Sequence, residues 1–201
     1  SGVTAVFDVG GYAWTWALRE RAERDLEAPH VAAAGPLLST VDRPIINLPD
    51  TRQILQVPGD TAARSAARAN VARGTDAVKF WYIVPRGADT AALKVVVRAA
   101  ADEAHRLGAR FIVHATGLWE AKDALRAGAD VLVHGVMDRP VDEEFLALAR
   151  ERHVIYTPTL TVTSGYRQVR ERHFEPHYPL GCVDSTTVAH ARATDSLPGG
   201  T

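Results

Sequence analysis

The chain has 201 residues, 46% of them hydrophobic and 23% charged, with 23 basic residues against 24 acidic ones and a single cysteine. The apolar fraction is ordinary and the net charge is only -1, which excludes a disordered chain and leaves no electrostatic footprint for nucleic acid or an anionic membrane. Cys182 stands alone, so neither a disulfide framework nor a cysteine metal cage can be built.

In chain order, Val3 to Val9 reads as a first short strand and Trp14 to Ala28 as a helix rich in Arg and Glu. Val31 to Leu38 follows as a strand, and Asp60 or Thr61 opens an Ala-rich helix that stops at Gly74. The strand Ala77 to Ile83 precedes a helix capped by Asp89, whose apolar stripe of Leu93, Val96, Val97, Ala100, Ala104 and Leu107 has helical spacing. Arg110 to His114 is a strand, Leu118 to Ala127 a helix ended by Gly128, and Asp130 to His134 another strand. Pro140 and Asp142 open a helix with Phe145, Leu146, Leu148 and Ala149 on its buried side, and Val154 to Thr159 closes the series as a sixth strand. Beyond Thr163 the pattern degrades, and the tail Leu197 to Thr201 reads as loop.

These strands are apolar on both faces and alternate with helices, which predicts an α/β fold with parallel strands, either an open sheet or a (β/α) barrel, in one domain over residues 1–201. A closed barrel needs eight strands over about 250 residues, so a barrel of six is incomplete. No apolar run is long enough to span a bilayer. No signal peptide can be read, which slightly favours a cytoplasmic chain and leaves the compartment unknown. The opening Ser1-Gly2, without a methionine, is read as a start inside a longer chain.

One plan recurs three times: a Gly after a helix, a short apolar run, then a basic or imidazole side chain. It ends on Lys79, on His114 and on His134. All three fall at the carboxyl ends of their strands, where α/β folds bind ligands. A polar group there costs desolvation unless it has a partner. Two imidazoles on neighbouring strands suit zinc or a similar cation. A buried lysine loses its proton more readily, and its neutral amine can take up carbon dioxide as an anionic carbamate. Trp81 and Tyr82, just past Lys79, are candidates to line a substrate pocket, and Gly10-Gly11 lacks the pattern of a phosphate loop.

The stretches Gly2 to Gly10, Thr75 to Lys79, Val113 to Gly117, Ala127 to Gly135 and Tyr156 to Leu160 resemble the metal-dependent amidohydrolase superfamily, in its imidazolonepropionase-like and prolidase-like branch. The resemblance implies a (β/α)8 TIM barrel represented by strands 2 to 7, lacking strands 1 and 8. It implies a divalent metal, zinc foremost, as one or two ions. Lys79 would be the carboxylated bridging lysine of strand 4, His114 the strand-5 ligand and His134 the strand-6 ligand. The implied reaction is hydrolysis of an amide-type C–N bond, in a cyclic amide or dipeptide-like small molecule.

Two parts of the family pattern have no counterpart. No two histidines are separated by one residue, so the strand-1 His-x-His pair is missing. Thr194-Asp195 resembles the strand-8 Thr-Asp, but Ala191-Arg192-Ala193 before it does not read as a buried strand. The sequence therefore reads as an internal piece of a hydrolase, inactive by itself. Its open barrel edges favour self-association into a homo-oligomer. Two other readings stay open: a lyase using Lys79 as a Schiff-base nucleophile, and a non-catalytic module that kept the fold. His30 and His153 precede their strands and read as structural. His105 suits a helix C-terminus, and His173, His177 and His190 read as solvated.

Overall fold

The computed structural model describes residues 2–44, 47–48, 50–173, 181 and 183–193. They fall into two compact units, Val3–Pro158 and the segment from Thr159 onward, which are described separately.

The larger unit runs β1 (Ala5–Asp8), α1 (Trp14–Ala22), β2 (His30–Ala33), β3 (Leu37–Ser39), β4 (Ile54–Gln56), α2 (Asp60–Ala72), β5 (Ala77–Trp81), α3 (Thr90–Arg106), β6 (Arg110–His114), α4 (Leu118–Ala127), β7 (Val131–Val133), α5 (Glu143–Arg152) and β8 (Ile155–Thr157). Every strand pairing is parallel: β1 with β2, and a six-stranded sheet in the order β4-β3-β5-β6-β7-β8. The second unit contains α6 (Leu160–Glu171) and α7 (Ser185–Ala193). No helix of the described residues is long and apolar enough to cross a membrane.

Local chemistry sets most boundaries. The Asp89 carboxylate accepts from the Ala91 and Ala92 amides and starts α3, and Asp142 caps α5 through the Phe145 amide. Gly128 ends α4 at φ 107, a left-handed position that favours glycine.

The structure departs from the sequence expectation in four places. Helix α1 stops at Ala22 rather than Ala28, because the chain unwinds in three-residue turns and Asp25 takes the Glu27 amide for its own local turn. The strand expected over Val31–Leu38 is broken into β2 and β3 at Gly35, whose φ is 66 and on which the Trp16 indole lies. A Cβ there would sit 2.3 Å from Trp16 Cζ2. Strand β4 escaped detection because three residues carry almost no periodicity. It is organised by Asn47, whose side-chain oxygen accepts from the Gln53 and Ile54 amides. Helices α6 and α7 bury no residue of their own; α7 lacks an apolar stripe, while α6 has one in Val162, Tyr166 and Val169 that is left exposed.

Strand alternation gives the sheet two different faces. Val78, Phe80, Tyr82, Phe111, Val113 and Leu132 point into the large core shared with α2, α3, α4 and α5. Ala77, Ile112, Val131 and Val133 form a separate small cluster with Val9 on the opposite face. Helices on one face of a parallel sheet and small apolar residues on the other is the arrangement of a barrel wall. Helices α2 and α3 are further tied by Glu103, 3% exposed, whose carboxylate accepts from Arg68 at 3.0 Å and Arg106 at 2.6 Å. Those bonds, Arg106's first, hold its carboxyl down at about 2.

Candidate metal centre

Register decides which side chains meet. Lys79 pairs with Ile112 and Trp81 with His114 across β5 and β6, while His114 pairs with Val133 across β6 and β7. Partners in a parallel sheet share a face, so Lys79, Trp81 and His114 all lie on the helix-free side with Ile112 and Val133. His134 follows β7 directly. Its amide donates to the Thr157 carbonyl at 2.8 Å, and its backbone stands at φ 79, a strained value for a residue with a Cβ.

The His114 and His134 rings lie with centroids 4.6 Å apart and planes at 70°. Lys79 is 4% exposed, and burial pushes its ammonium from an ordinary 10.5 down to about 7. Burial also lowers His114 to about 3, with further contributions from the His134 and Lys79 charges. His134 is lowered by burial first and by Lys79 second. All three shifts favour the neutral base, the form in which nitrogen offers a lone pair.

The stem of Lys79 runs beside the turn after β1. A Cβ on Gly10, at φ 148, would approach Leu37 Cδ2 to 3.1 Å and Lys79 Cγ to 3.2 Å. The Gly10 amide donates to Asp8 Oδ1 at 3.2 Å. Gly10 is thus the small residue that lets a turn close over the lysine.

Trp81 shares this face, its ring 5.9 Å from the His114 ring and edge-on at 77°. Tyr82 does not, and the expectation that both rings line one pocket is corrected for it. One residue further along the strand, Tyr82 points into the helix-side core, 1% exposed, with its hydroxyl donating to Asp123 Oδ2 at 2.8 Å. Strand alternation forbids two consecutive residues from lining one face.

Sequence reading missed Ser39 and Arg43. The buried Ser39 hydroxyl donates to the Trp81 carbonyl at 2.9 Å and accepts from the Val41 amide at 3.2 Å, pinning the end of β3 against the end of β5. Arg43 places its guanidinium carbon 5.9 Å from the Trp81 ring centroid. Nothing in the linear pattern marks either residue.

Among the described residues there is no group of three His, Cys, Asp or Glu that could hold a metal ion. The cluster is two imidazoles and an amine, whose capacity for a cation depends on what Lys79 carries. The other histidines lie elsewhere: His30 pairs with Glu23, His105 Nε2 with Asp130 Oδ2 at 2.9 Å, and His153 ends α5 at φ 50. His190 sits in α7 and His173 follows α6. His177, Cys182 and Asp195 fall outside the described residues.

The architecture is that of a partial TIM barrel, matched by a solved structure at TM-score 0.67 and 23% identity over 99% of this chain and 53% of its own. No family model matches the chain, and none of the curated proteins does. Among solved structures, an amidohydrolase is matched at TM-score 0.67 and 21% identity over 96% of this chain and 50% of its own. A Xaa-Pro dipeptidase with bound methionine in its active site is matched at TM-score 0.65 and 22% identity over 97% of this chain and 49% of its own. A prolidase complexed with N-methylphosphonate-L-proline gives TM-score 0.64 and 21% identity over 99% and 54%. The chain thus spans about half the length of the structures it resembles.

Proposed function

We propose that this chain forms one side of a metal-dependent hydrolase acting on amide-type C–N bonds in a small molecule, a cyclic amide or dipeptide-like compound. The observation that carries the reading is a buried amine on the same face as His114, whose ring centroid lies 4.6 Å from that of His134. The hydrolase character of the structural neighbours agrees with it.

In this reading His114 and His134 would hold a divalent cation, zinc foremost, through neutral nitrogens, and Lys79, once carboxylated, would add an anionic ligand. The fit is chemical: both imidazoles are held uncharged, and near neutral pH much of Lys79 is the free amine. That amine adds to carbon dioxide. An N–C bond forms, the electron pair of one C=O bond moves to oxygen, and a proton leaves to solvent. The product is a carbamate with two oxygen donors and one negative charge. A bound cation supplies Lewis acidity and a lowered water pKa. Trp81 and His114 stand ring against ring on the same face.

Neither a strand-borne general base nor a His-x-His pair accompanies these residues among those described, so we expect the chain by itself to turn over little or no substrate. The experiment is to equilibrate it with zinc and 13C-bicarbonate, then read metal stoichiometry and the carbamate carbon resonance. One or two zinc ions with a carbamate signal, both lost or reduced in Lys79→Met and His114→Ala, are expected. Folded chain that takes up neither zinc nor carbon dioxide overturns the proposal.

The depressed Lys79 amine would equally serve a Schiff base. Borohydride trapping of a carbonyl compound on Lys79, with no zinc bound, would select that reading instead.

A further inference from the structure

At the rim of the same face stands a cation that the chemistry above does not use. The Arg43 guanidinium lies over the Trp81 ring, and Trp81 abuts His114. Arg43 is exposed and has no ion-pair or hydrogen-bond partner among the described residues. Its neighbour Asp42 is engaged elsewhere, 4.0 Å from Arg52 and 3.5 Å from Asn47 Nδ2. Some arginines of the larger unit are spent on carboxylates, as Arg19 on Asp76 and Arg68 on Glu103, and others such as Arg98 and Arg150 have no such partner among the described residues. What sets Arg43 apart is the indole beneath it and the site beside that indole.

The position is built rather than incidental. Ser39 ties the Trp81 carbonyl to the Val41 amide, so the turn that carries Arg43 is fixed to the residue its guanidinium covers. An arginine over an indole face keeps its charge and the donors at its edge. Such a fork matches a planar oxyanion, a carboxylate above all.

We infer that Arg43, held on Trp81 and pinned by Ser39, is a specificity-determining residue that selects substrates bearing a carboxylate within reach of the Lys79, His114 and His134 cluster. The inference rests on the proposed function for what is cleaved, but the anion contact can be measured without metal or turnover.

The test uses the full chain, metal-free and in carbon-dioxide-free buffer, with 15N-labelled tryptophan. The Trp81 indole resonance is assigned by its loss in Trp81→Phe. N-acetylglycine and its uncharged counterpart N-acetylglycinamide are titrated in parallel. A saturable shift with the acid and none with the amide is expected. Arg43→Gln should weaken it by about tenfold or more, and Arg43→Lys, which keeps the charge and loses the fork, by less. Lys79→Met should retain binding, which separates the guanidinium from the buried amine. Inorganic phosphate, titrated alongside, should bind more weakly than the acid. Equal response to acid and amide, no saturable shift, tighter phosphate binding, or acid binding unchanged in Arg43→Gln overturns the inference. Since zinc and carbamate are absent here, failure of this test leaves the hydrolase reading intact, and failure of zinc uptake leaves this contact intact.

Discussion

Lys79 is an expensive residue for this fold to keep, and the expense can be measured. In the unfolded chain its ammonium titrates near 10.5; in the folded chain burial lowers that to about 7. Below pH 7 both states carry the proton, and the folded state bears the full cost of a buried charge. Between pH 7 and 10.5 the unfolded chain holds a proton that the folded chain has released, so stability rises with pH there, by about 1.4 kcal/mol per pH unit. The whole span corresponds to roughly 5 kcal/mol, comparable to the total stability of a small domain. Replacing Lys79 with Met keeps the length and volume of the side chain and removes the charge. Urea denaturation of both proteins, in carbon-dioxide-free buffer from pH 7 to 10, should find Lys79→Met the more stable by several kcal/mol at pH 7. That advantage should shrink steadily as the pH rises. Bicarbonate should raise the stability of the wild type and not of the variant. A difference that is independent of pH, or a wild type already the more stable at pH 7, would refute the claim that this amine is buried without a counter-charge.

Other consequences are open to simpler tests. Tyr82→Phe leaves the buried Asp123 carboxylate without its 2.8 Å donor and should cost about 1–2 kcal/mol in urea denaturation, with zinc uptake unchanged. A change in zinc uptake would mean that Tyr82 reaches the site face after all. At His134, the φ of 79 predicts that His134→Gly is more stable than His134→Ala by about 1 kcal/mol, and equal stabilities would remove the strain argument. Glu103 has its carboxyl held at about 2, so its contribution is present above its unfolded value of about 4.5 and lost as the pH falls from there toward 2. Glu103→Gln should flatten acid unfolding in that window, and an unchanged acid limb would argue against the arginine clamp.

The elements that bury an apolar stripe were legible in the linear pattern. Helix α4 and strand β6 match their expected limits, since Gly128 stops the one and His114 closes the other. Asp89 and Asp142 cap where a short acidic side chain before an apolar stripe says they should. Other elements were lost: β4 is too short for periodicity, α7 carries no apolar stripe, and the stripe of α6 (Val162, Tyr166, Val169) is masked by the Arg and His that crowd the same stretch. The site divided in the same way. His114 and His134 stand out because each closes an apolar run and Lys79 because it interrupts one, in the middle of β5, whereas Ser39 and Arg43 matter through partners about 40 residues away.

The order of residues thus determined that strands and helices alternate and that each of three successive strands carries a basic nitrogen, because burial and chain reversal leave local marks; of the three only His114 ends its strand, Lys79 standing mid-way along β5 and His134 just past β7. Only the folded sheet decided which of them share a face. Side chains change sides at every residue along a strand, so Trp81 and Tyr82, adjacent in the chain, end on opposite surfaces. The register between β5 and β6 brings Lys79, His114 and the arginine-covered Trp81 to one surface, and the left-handed backbone of His134, just past β7, carries its ring to within 4.6 Å of that of His114. That register is a property of paired strands, which no single stretch of sequence carries.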